Sequence, residues 1–370
     1  MLNQSPIEPQ LFAERLAGWT SLGGPEDDVV VTSRVRLARN LSGHRFRTRI
    51  EPAEATEVGR HLLEALQAAP LDGDTHWVPI GDASSLLRLL LRERYLCSRD
   101  LAPAGERDDG LPGRAVAFSV GEDLAVMVNE EDHLRIQALA PGLDLAGALR
   151  RATRLDRQLE ELLEYAFTRE LGYLTSCPTN VGTGLRASVM LHLPALGMVP
   201  GELDKVIRSA QSTGLAVRGI YGEGSRAVGD LYQISNQVTL GRSEEQLVED
   251  LGALVPSILT FERRVRQALI EERGDQLRDR IHGARELLSN SRAIDTDGAL
   301  TALSLVRLGD ILGLETGLAY TDFGRLVIQV QKGHVQALGP RGEVPEGGDL
   351  VAPSQRDAWR ASYLRLRFRR

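Results

Sequence analysis

Tyr173-Leu-Thr-Ser-Cys-Pro-Thr-Asn-Val-Gly-Thr-Gly-Leu-Arg-Ala-Ser-Val-Met190 is the stretch from which the chain is read. It opens on strand-forming residues and then meets a cysteine held before a proline. Pro178 biases Cys177 toward extended backbone, because its ring crowds the residue before it. Gly182 and Gly184 permit a tight turn and a close approach of the backbone to another group. A lone arginine, Arg186, follows, and Ala187–Leu193 has the composition of a strand. Taken alone, the stretch is a glycine turn joining two strands as readily as it is a binding element. Its surroundings decide between the two.

Upstream, residues 144–171 have the periodicity of a long amphipathic helix ending at Gly172. Downstream, Pro200–Ser212 reads as a helix, Leu215–Tyr221 as a strand, Gly222–Gly229 as a glycine-rich loop, and Leu231–Leu240 as a further strand. Val29–Asn40 alternates with period two, which puts Val31, Ser33, Val35 and Leu37 on one face and Thr32, Arg34 and Arg36 on the other. Two arginines on one strand face repel unless an anion lies between them; the plainer alternative is a solvated face. Residues 51–69 and 82–96 are helical patterns. Arg114–Val120 and Leu124–Asn129 flank a hairpin signal at Gly121-Glu-Asp. The second of these strands runs into Glu130-Glu-Asp-His-Leu-Arg135. Ser243 and Gln246 form a capping-box signal for a long helix. Helical patterns follow at 243–272, 275–290, 296–312, 322–332 and 354–367. Strands therefore dominate the middle and helices the end. The fold class expected is α+β: an antiparallel sheet flanked by helices, then an all-helical C-terminal domain. The boundaries are a peripheral segment 1–27, a domain 28–255 and a helical domain 256–370.

The chain has 370 residues, with 42% hydrophobic and 26% charged residues. That is the composition of a globular protein of about two domains. A net charge of −7 gives no bulk attraction to nucleic acid. No apolar run reaches the ~18 residues of a membrane helix, and the N-terminus lacks the basic-then-apolar pattern of a signal peptide. The only cysteines are Cys97 and Cys177, too few for a disulfide framework or a thiolate metal site, which suits a reducing cytoplasm. Of 44 basic residues only Lys205 and Lys332 are lysines; the rest are arginine. Neither lysine follows a phosphate loop or sits where a protein kinase of the common type needs one, so any polyphosphate here must be held by arginine.

Two motifs are decoys. Gly182-Thr-Gly-Leu-Arg-Ala187 matches a dinucleotide fingerprint, but a strand rather than a helix follows it. Asp322-Phe-Gly324 resembles a kinase magnesium motif without the catalytic segment that should precede it, and a helix cap at Thr321 or Asp322 explains it better. His133 and His192 have no metal-ligand partners at useful spacing.

Four segments remain: Thr32–Arg36, Asn129–Arg135, Cys177–Arg186 and Arg218–Glu223. Arginine binds phosphate bidentately and stays charged. Five arginines around one pocket call for a polyanion, for which a nucleotide triphosphate with Mg²⁺ is the natural occupant. Carboxylates beside such a site make sense facing a cationic acceptor. A guanidinium is one: it must be aligned and stripped of a proton before its nitrogen attacks phosphorus.

Asn-Glu-Glu-Asp-His-Leu-Arg at 129–135 and Cys-Pro-Thr-Asn at 177–180 together resemble the phosphagen kinase, or ATP:guanidino phosphotransferase, family. The resemblance implies that Arg34, Arg36, Arg135, Arg186 and Arg218 hold phosphates, and that Glu131 and Glu223 clamp the guanidinium, one of them as base. Cys177 would contact the same group. Nucleotide contacts would span Thr32, Ser33, Arg34, Val35 and Arg36; Arg186, Ala187, Ser188, Val189 and Met190; and Arg218, Gly219, Ile220, Tyr221, Gly222 and Glu223. Tyr95 stands where the family often has a nucleotide-contacting histidine, and would stack on adenine or merely pack. The resemblance covers roughly residues 28–255, and the small N-terminal domain that grips free creatine or arginine is missing. A helical domain follows instead, an arrangement similar to the bacterial protein arginine kinases, which phosphorylate arginine side chains in proteins. A free-arginine kinase and a non-catalytic phosphoarginine-binding adaptor are the competing expectations. Near the end, Arg356, Asp357, Arg360 and Ala361 resemble the Arg-Asp-x-x-Arg-Ala element by which that family senses phosphoarginine; a solvated basic tail is the plainer reading. The resemblance further implies a homodimer, an activator protein, a transcriptional repressor and a Clp-type protease as partners.

Overall fold

The structure is a computed structural model. It describes residues 2–15, 17–20, 23–103, 110–219, 227–314, 316, 318, 322–340, 342, 345 and 348–369. The strands are β1 (Leu2–Asn3), β2 (Val30–Arg39), β3 (Thr75–Pro79), β4 (Ala115–Ser119), β5 (Leu124–Val128), β6 (Leu134–Pro141), β7 (Phe167–Thr168), β8 (Gly172–Tyr173), β9 (Leu185–His192), β10 (Leu215–Gly219) and β11 (Leu231–Asn236). The helices are α1 (Pro9–Glu14), α2 (Pro52–Ala68), α3 (Ser85–Glu93), α4 (Leu145–Glu160), α5 (Pro194–Met198), α6 (Pro200–Ser212), α7 (Glu244–Asn290), α8 (Thr296–Ile311), α9 (Asp322–Gln329), α10 (Lys332–Ala337) and α11 (Pro353–Phe368).

Among the described residues, nine strands form one sheet in the order β1-β3-β4-β5-β6-β2-β9-β11-β10. Every pair in it is antiparallel except β1 with β3. The expected α+β class is what the chain adopts. One face of the sheet carries the main core: Val35, Leu37, Val126, Ile136, Ala187 and Val189 pack against apolar residues of α2, α4 and α7. Burying a Leu or Val side chain in such a layer stabilises the fold by about 1.5–3 kcal/mol.

The opposite face is covered only in part. Over β3, β4 and β5 lie α1 and α3, with Phe12, Leu86, Leu90 and Phe118 in a second core. At the β2 start and the β9 end, Val31, Met190 and Leu231 are buried by α8, α9 and α11, through Leu303, Phe323, Leu326 and Leu364. The middle of this face, between the two coverings, belongs to the arginines. Val31 was expected beside Val35 on the core face. A register shift between Val30 and Thr32 instead returns Val30 to the main core and puts Val31 under the C-terminal helices.

Other departures have local causes. Helix α4 ends at Glu160 rather than near Gly172, because the chain beyond it pairs elsewhere. Leu41 bridges Tyr165, and Phe167–Thr168 pairs with Gly172–Tyr173. Tertiary pairing has overridden the helical periodicity of 161–171. The two helices expected at 243–272 and 275–290 form one element with non-helical backbone at Arg273 (φ −142°). Its start is closed by the expected capping box of Ser243 and Gln246. Strand β6 follows directly from the Glu130–His133 turn, and β3 pairs between β1 and β4; neither was read from the sequence. Phe323 of the Asp-Phe-Gly decoy is a core residue packed on the His192 ring, at 5.2 Å between centroids. Asp322 is the first residue of α9; Thr321, the other cap candidate, lies outside the described residues.

Candidate active site

Strand register alone brings the phosphate-binding candidates together. Arg36 faces Arg186 across β2 and β9, and Arg34 faces Ser188. On the other side Ala38 faces Arg135 of β6. Arg218 of β10 faces Gln233 of β11, which faces Met190 of β9. Cross-strand partners point to the same side of a sheet. All five arginines therefore lie on one face of five adjacent strands, opposite the main core.

The same alternation divides the side chains of the expected nucleotide set. Ser33, Val35, Ala187 and Val189 send their side chains away from the arginine face. Val35, Ala187 and Val189 lie in the main core. Ser33 Oγ donates to the Gly142 carbonyl at 2.8 Å. Thr32, Arg34, Tyr95, Ser188, Met190 and Gln233 line one small hollow on the arginine face. Tyr95 reaches it from a left-handed backbone (φ 59°) just beyond α3. Its carbonyl accepts from Gln137 Nε2 at 2.5 Å, and its ring meets Trp19 edge-on at 5.5 Å. Gly219 closes β10 in register with Tyr232. Ile220, Tyr221, Gly222 and Glu223 lie outside the described residues.

The arginines on this face are held in different ways. Arg34 Nε donates to Ser188 Oγ at 3.3 Å and its Nη2 to Gln233 Oε1 at 2.8 Å, both neutral. Burial, with the like charges of Arg186 and Arg135, pushes the Arg34 guanidinium down to about 10. Burial and the neighbours Arg34, Arg135 and Arg186 push Arg36 well below its ordinary value against the pull of Glu130, and its Nε has no hydrogen-bond partner. Arg135 is the exception. Its Nη1 lies 2.7 Å from Glu130 Oε2 and its Nη2 2.5 Å from Glu131 Oε2. Burial works to lower its pKa, but Glu130, Glu131 and Asp132 outweigh burial and hold it above its ordinary value. Glu130, absent from the expected set, is the buried counter-ion that fixes Arg135. The doubled glutamate in Asn-Glu-Glu-Asp was its only signal.

The carboxylate and thiol candidates come from two loops that share one anchor. Asp132, fully buried, accepts through one oxygen from Asn40 Nδ2 and from the Ser176 amide, both at 2.7 Å. Ser176 precedes Cys177, and Glu131 precedes Asp132, so this one carboxylate ties the two candidate residues' loops together. Burial raises the Asp132 pKa against those bonds. Cys177 has extended backbone (φ −94°, ψ 121°) ahead of a 3₁₀ turn at Pro178–Asn180, and its Sγ lies 3.0 Å from Thr179 Oγ1. Gly182 (φ 112°) and Gly184 (φ 64°) adopt the positive φ that favours glycine. A Cβ on Gly184 would come within 2.5 Å of the Ala38 carbonyl oxygen, against β2.

His133 seals the same corner. Its Nδ1 accepts from the Leu41 amide at 3.1 Å, and its Nε2 lies 2.9 Å from the Arg45 carbonyl. Those partners require a neutral ring with its proton on Nε2. Burial pushes its pKa down to about 4 from an ordinary 6.5. As pH falls, the unfolded chain binds the proton first, so this stabilisation is complete above pH 6.5 and lost progressively toward pH 4. Between pH 7 and 5 the loss amounts to about 2 kcal/mol. Urea denaturation at the two pH values should show it, and His133→Gln should remove that share of the difference.

At the C-terminus, Arg360 is fully buried. Its Nε donates to the Val330 carbonyl at 2.6 Å, and its Nη1 lies 2.7 Å from both the Ile294 carbonyl and Asp357 Oδ1. Ala361 is buried beside it. Arg356 is half-buried and donates to the Val351 carbonyl. The two arginines of the element thus differ in setting: Arg360 turns inward and Arg356 is partly exposed.

Known proteins place this geometry in a family. Residues 57–265 match the ATP:guanido phosphotransferase C-terminal catalytic domain. Residues 274–370 match the protein-arginine kinase McsB C-terminal domain. The chain is 41% identical over 362 residues to the protein-arginine kinase of Geobacillus stearothermophilus, covering 97% of this chain and 96% of that one. The chain belongs to the protein-arginine kinase family. It is also 40% identical over 356 residues to the protein-arginine kinase of Bacillus subtilis, covering 96% of this chain and 94% of that one. Among solved structures, lombricine kinase superposes with a TM-score of 0.57 at 28% identity, over 72% of this chain and 74% of that chain. The duplicated taurocyamine kinase of Schistosoma mansoni, solved with transition-state analogue components, gives 0.59 at 28% identity. That match covers 68% of this chain and 35% of the longer one. The phosphagen-kinase fold is therefore shared, and membership in this family makes the chain a phosphotransferase. The join between the two matched regions falls at the Arg273 kink of α7.

Proposed function

We propose that the chain transfers the γ-phosphoryl group of ATP to the guanidinium of arginine side chains in proteins. The observation that carries this reading is the arginine face: five guanidinium groups gathered on one side of five adjacent strands, opposite the main core. Arg34, Arg36, Arg135, Arg186 and Arg218 would hold the nucleotide phosphates, and Tyr95 and Met190 would border the hollow beside them. Glu131, with Glu223, would orient the acceptor guanidinium and take its proton, and Cys177 would border the same group. In the transfer, the acceptor nitrogen forms a bond to the γ-phosphorus as the bond from that phosphorus to the β–γ bridging oxygen breaks. ADP leaves with the bond electrons, and the nitrogen's proton passes to the carboxylate. Most of the catalysis then comes from positioning and charge.

Mg²⁺ fits this arrangement as a companion of the nucleotide. It keeps several waters and binds substrate phosphates with one or two carboxylates, so it needs no dedicated cage. Among the described residues no group of three or more His, Cys, Asp or Glu side chains could hold a metal.

Protein acceptors are favoured over free arginine by relatives that are named protein-arginine kinases across nearly their whole length. A catalytic unit at 28–255 and a C-terminal unit at 256–370 are proposed as the working division, with the second unit mediating a homodimer. Sensing of phosphoarginine by Arg356, Asp357, Arg360 and Ala361 is proposed from the family, and requires Arg360 to exchange its internal acceptors for the ligand. An activator protein, a transcriptional repressor and a Clp-type protease are proposed as partners on the same ground, and the cytoplasm as the location. No helix of the described residues is long and apolar enough to cross a membrane.

Incubating the protein with Mg·ATP and casein tests the activity. Acid-labile phosphate should appear on arginine; phosphate confined to serine or threonine would sink the reading.

A further inference from the structure

Large apolar side chains are mostly buried here, which makes the exceptions informative. Among the described residues, five of the ten exposed large hydrophobics are Leu162, Phe167, Leu171, Val238 and Leu240, exposed by 45–59%. They fall on two short segments, 162–171 and 238–240. Both segments are bonded to the loop that carries Cys177. Tyr173, whose ring lies 5.2 Å from that of Phe167, exchanges backbone hydrogen bonds with Gly182 at 2.8 and 3.2 Å. Thr239 Oγ1 lies 3.0 Å from the Thr179 carbonyl and 2.6 Å from that of Val181. A Cβ on Gly182 would stand 2.8 Å from the Leu240 Cα. The exposed apolar groups thus border the loop proposed to receive the acceptor.

Isolated surface apolar residues need no explanation, but a group concentrated beside one site marks an interaction surface. The charge around this one is mostly acidic. Glu160, Glu161, Glu164 and Glu170 are exposed against Arg157 and Arg169, and Arg242, exposed beside the other segment, is ion-paired with Asp250. A cavity of about 420 Å³ opens beside it, between Leu162–Glu164 and the α2 residues His61 and Glu64. An apolar surface edged by carboxylates complements a polypeptide that is both basic and apolar.

We propose that this surface docks the stretch of substrate polypeptide flanking the acceptor arginine, and favours stretches with a large apolar side chain near that arginine. The proposal rests on the activity proposed above and concerns how the segment around the acceptor arginine is held. At about 3.3 Å per extended residue, an apolar group two to four positions from the arginine reaches roughly 7–13 Å along the chain.

Two fifteen-residue peptides, each with a single arginine, test this. One carries phenylalanine three positions from the arginine on either side; the other has serine there. The wild-type protein with Mg·ATP should phosphorylate the phenylalanine peptide with at least tenfold higher kcat/KM. Phe167→Ser and Leu240→Ser should each raise KM for that peptide several-fold with kcat unchanged, and leave the serine peptide unaffected. Phe167→Leu should restore the preference. Both residues are exposed, so the variants should fold, and circular dichroism with a melting curve checks this. Equal treatment of the two peptides by the wild type overturns the docking surface, including transfer to neither while casein is phosphorylated; the activity reading then stands. Absence of arginine phosphate on casein as well overturns both. Loss of an oligomer in either variant, seen by light scattering, with the peptide preference intact would assign the surface to contacts between copies of this chain and overturn the proposal.

Discussion

Replacing Arg36 by methionine should lower kcat/KM for phosphoryl transfer by roughly 10³–10⁵-fold, the range associated with removing one arginine from a phosphoryl-transfer site. The same change should make the ligand-free protein more stable. Arg36 stands among Arg34, Arg135 and Arg186, with its Nε unpartnered. Crowded like charges cost free energy, and a buried unsatisfied polar group about 1–3 kcal/mol. Methionine fills much of the same volume without charge, so the melting temperature of the free protein should rise by a few degrees. With Mg·ATP the order should reverse. Ligand at a hundred times its dissociation constant adds about 2.7 kcal/mol to the wild type, and the variant should lose most of that gain. Differential scanning fluorimetry with and without nucleotide reads both signs. A variant that is less stable without nucleotide would mean that Arg36 is a structural group, and the cluster would lose its standing as a preformed anion site.

Glu131→Gln should lower kcat by about 10²–10⁴-fold, the usual contribution of a positioned general base. It should do so with little effect on ATP affinity or on folding. Glu131 meets Arg135 at 2.5 Å, but its side chain is 41% exposed, so the pair contributes little to stability. Arg135 keeps its buried partner Glu130 at 2.7 Å and stays in place. The contrasting variant is Glu130→Gln. Glu130 is 4% exposed, and Arg135 draws its pKa down although burial alone would raise it. Removing that charge leaves a buried guanidinium with its outer partner alone, which costs about 3–5 kcal/mol. Glu131→Gln should therefore be folded and slow, and Glu130→Gln unstable. Stopped-flow transfer assays beside urea titrations separate the two. Retained kcat in Glu131→Gln would move the proton-accepting role to another group.

The sequence made some of this legible and concealed the rest for a physical reason. Period two in Thr32–Arg36 already put Arg34 and Arg36 on one face, because alternation is a property of one strand. That Arg135, Arg186 and Arg218 share the face depends on register between strands up to 180 residues apart in the chain, which no local pattern encodes. Strand β6 was hidden because Leu134-Arg-Ile-Gln-Ala-Leu-Ala lies next to a charged turn that drew the reading. Glu130 was passed over because two adjacent glutamates look equivalent in sequence; the turn between β5 and β6 buries one and leaves the other partly exposed. The overlong helix at 144–171 came from genuine helical periodicity, and only the pairing of Leu41 with Tyr165 shows why it stops.

The burial of Val31, Met190 and Leu231 beneath α8, α9 and α11 bears on how such a protein can be re-engineered or can diverge. Met190 borders the hollow beside Arg34, yet its other surroundings are side chains contributed from beyond residue 280. The C-terminal helices are therefore not an interchangeable cassette appended to a finished enzyme. Grafting them onto another catalytic sheet would have to carry this three-residue apolar footprint with them. Substitutions on the two sides of the seam are expected to change in concert, one side's loss of volume answered by the other's gain.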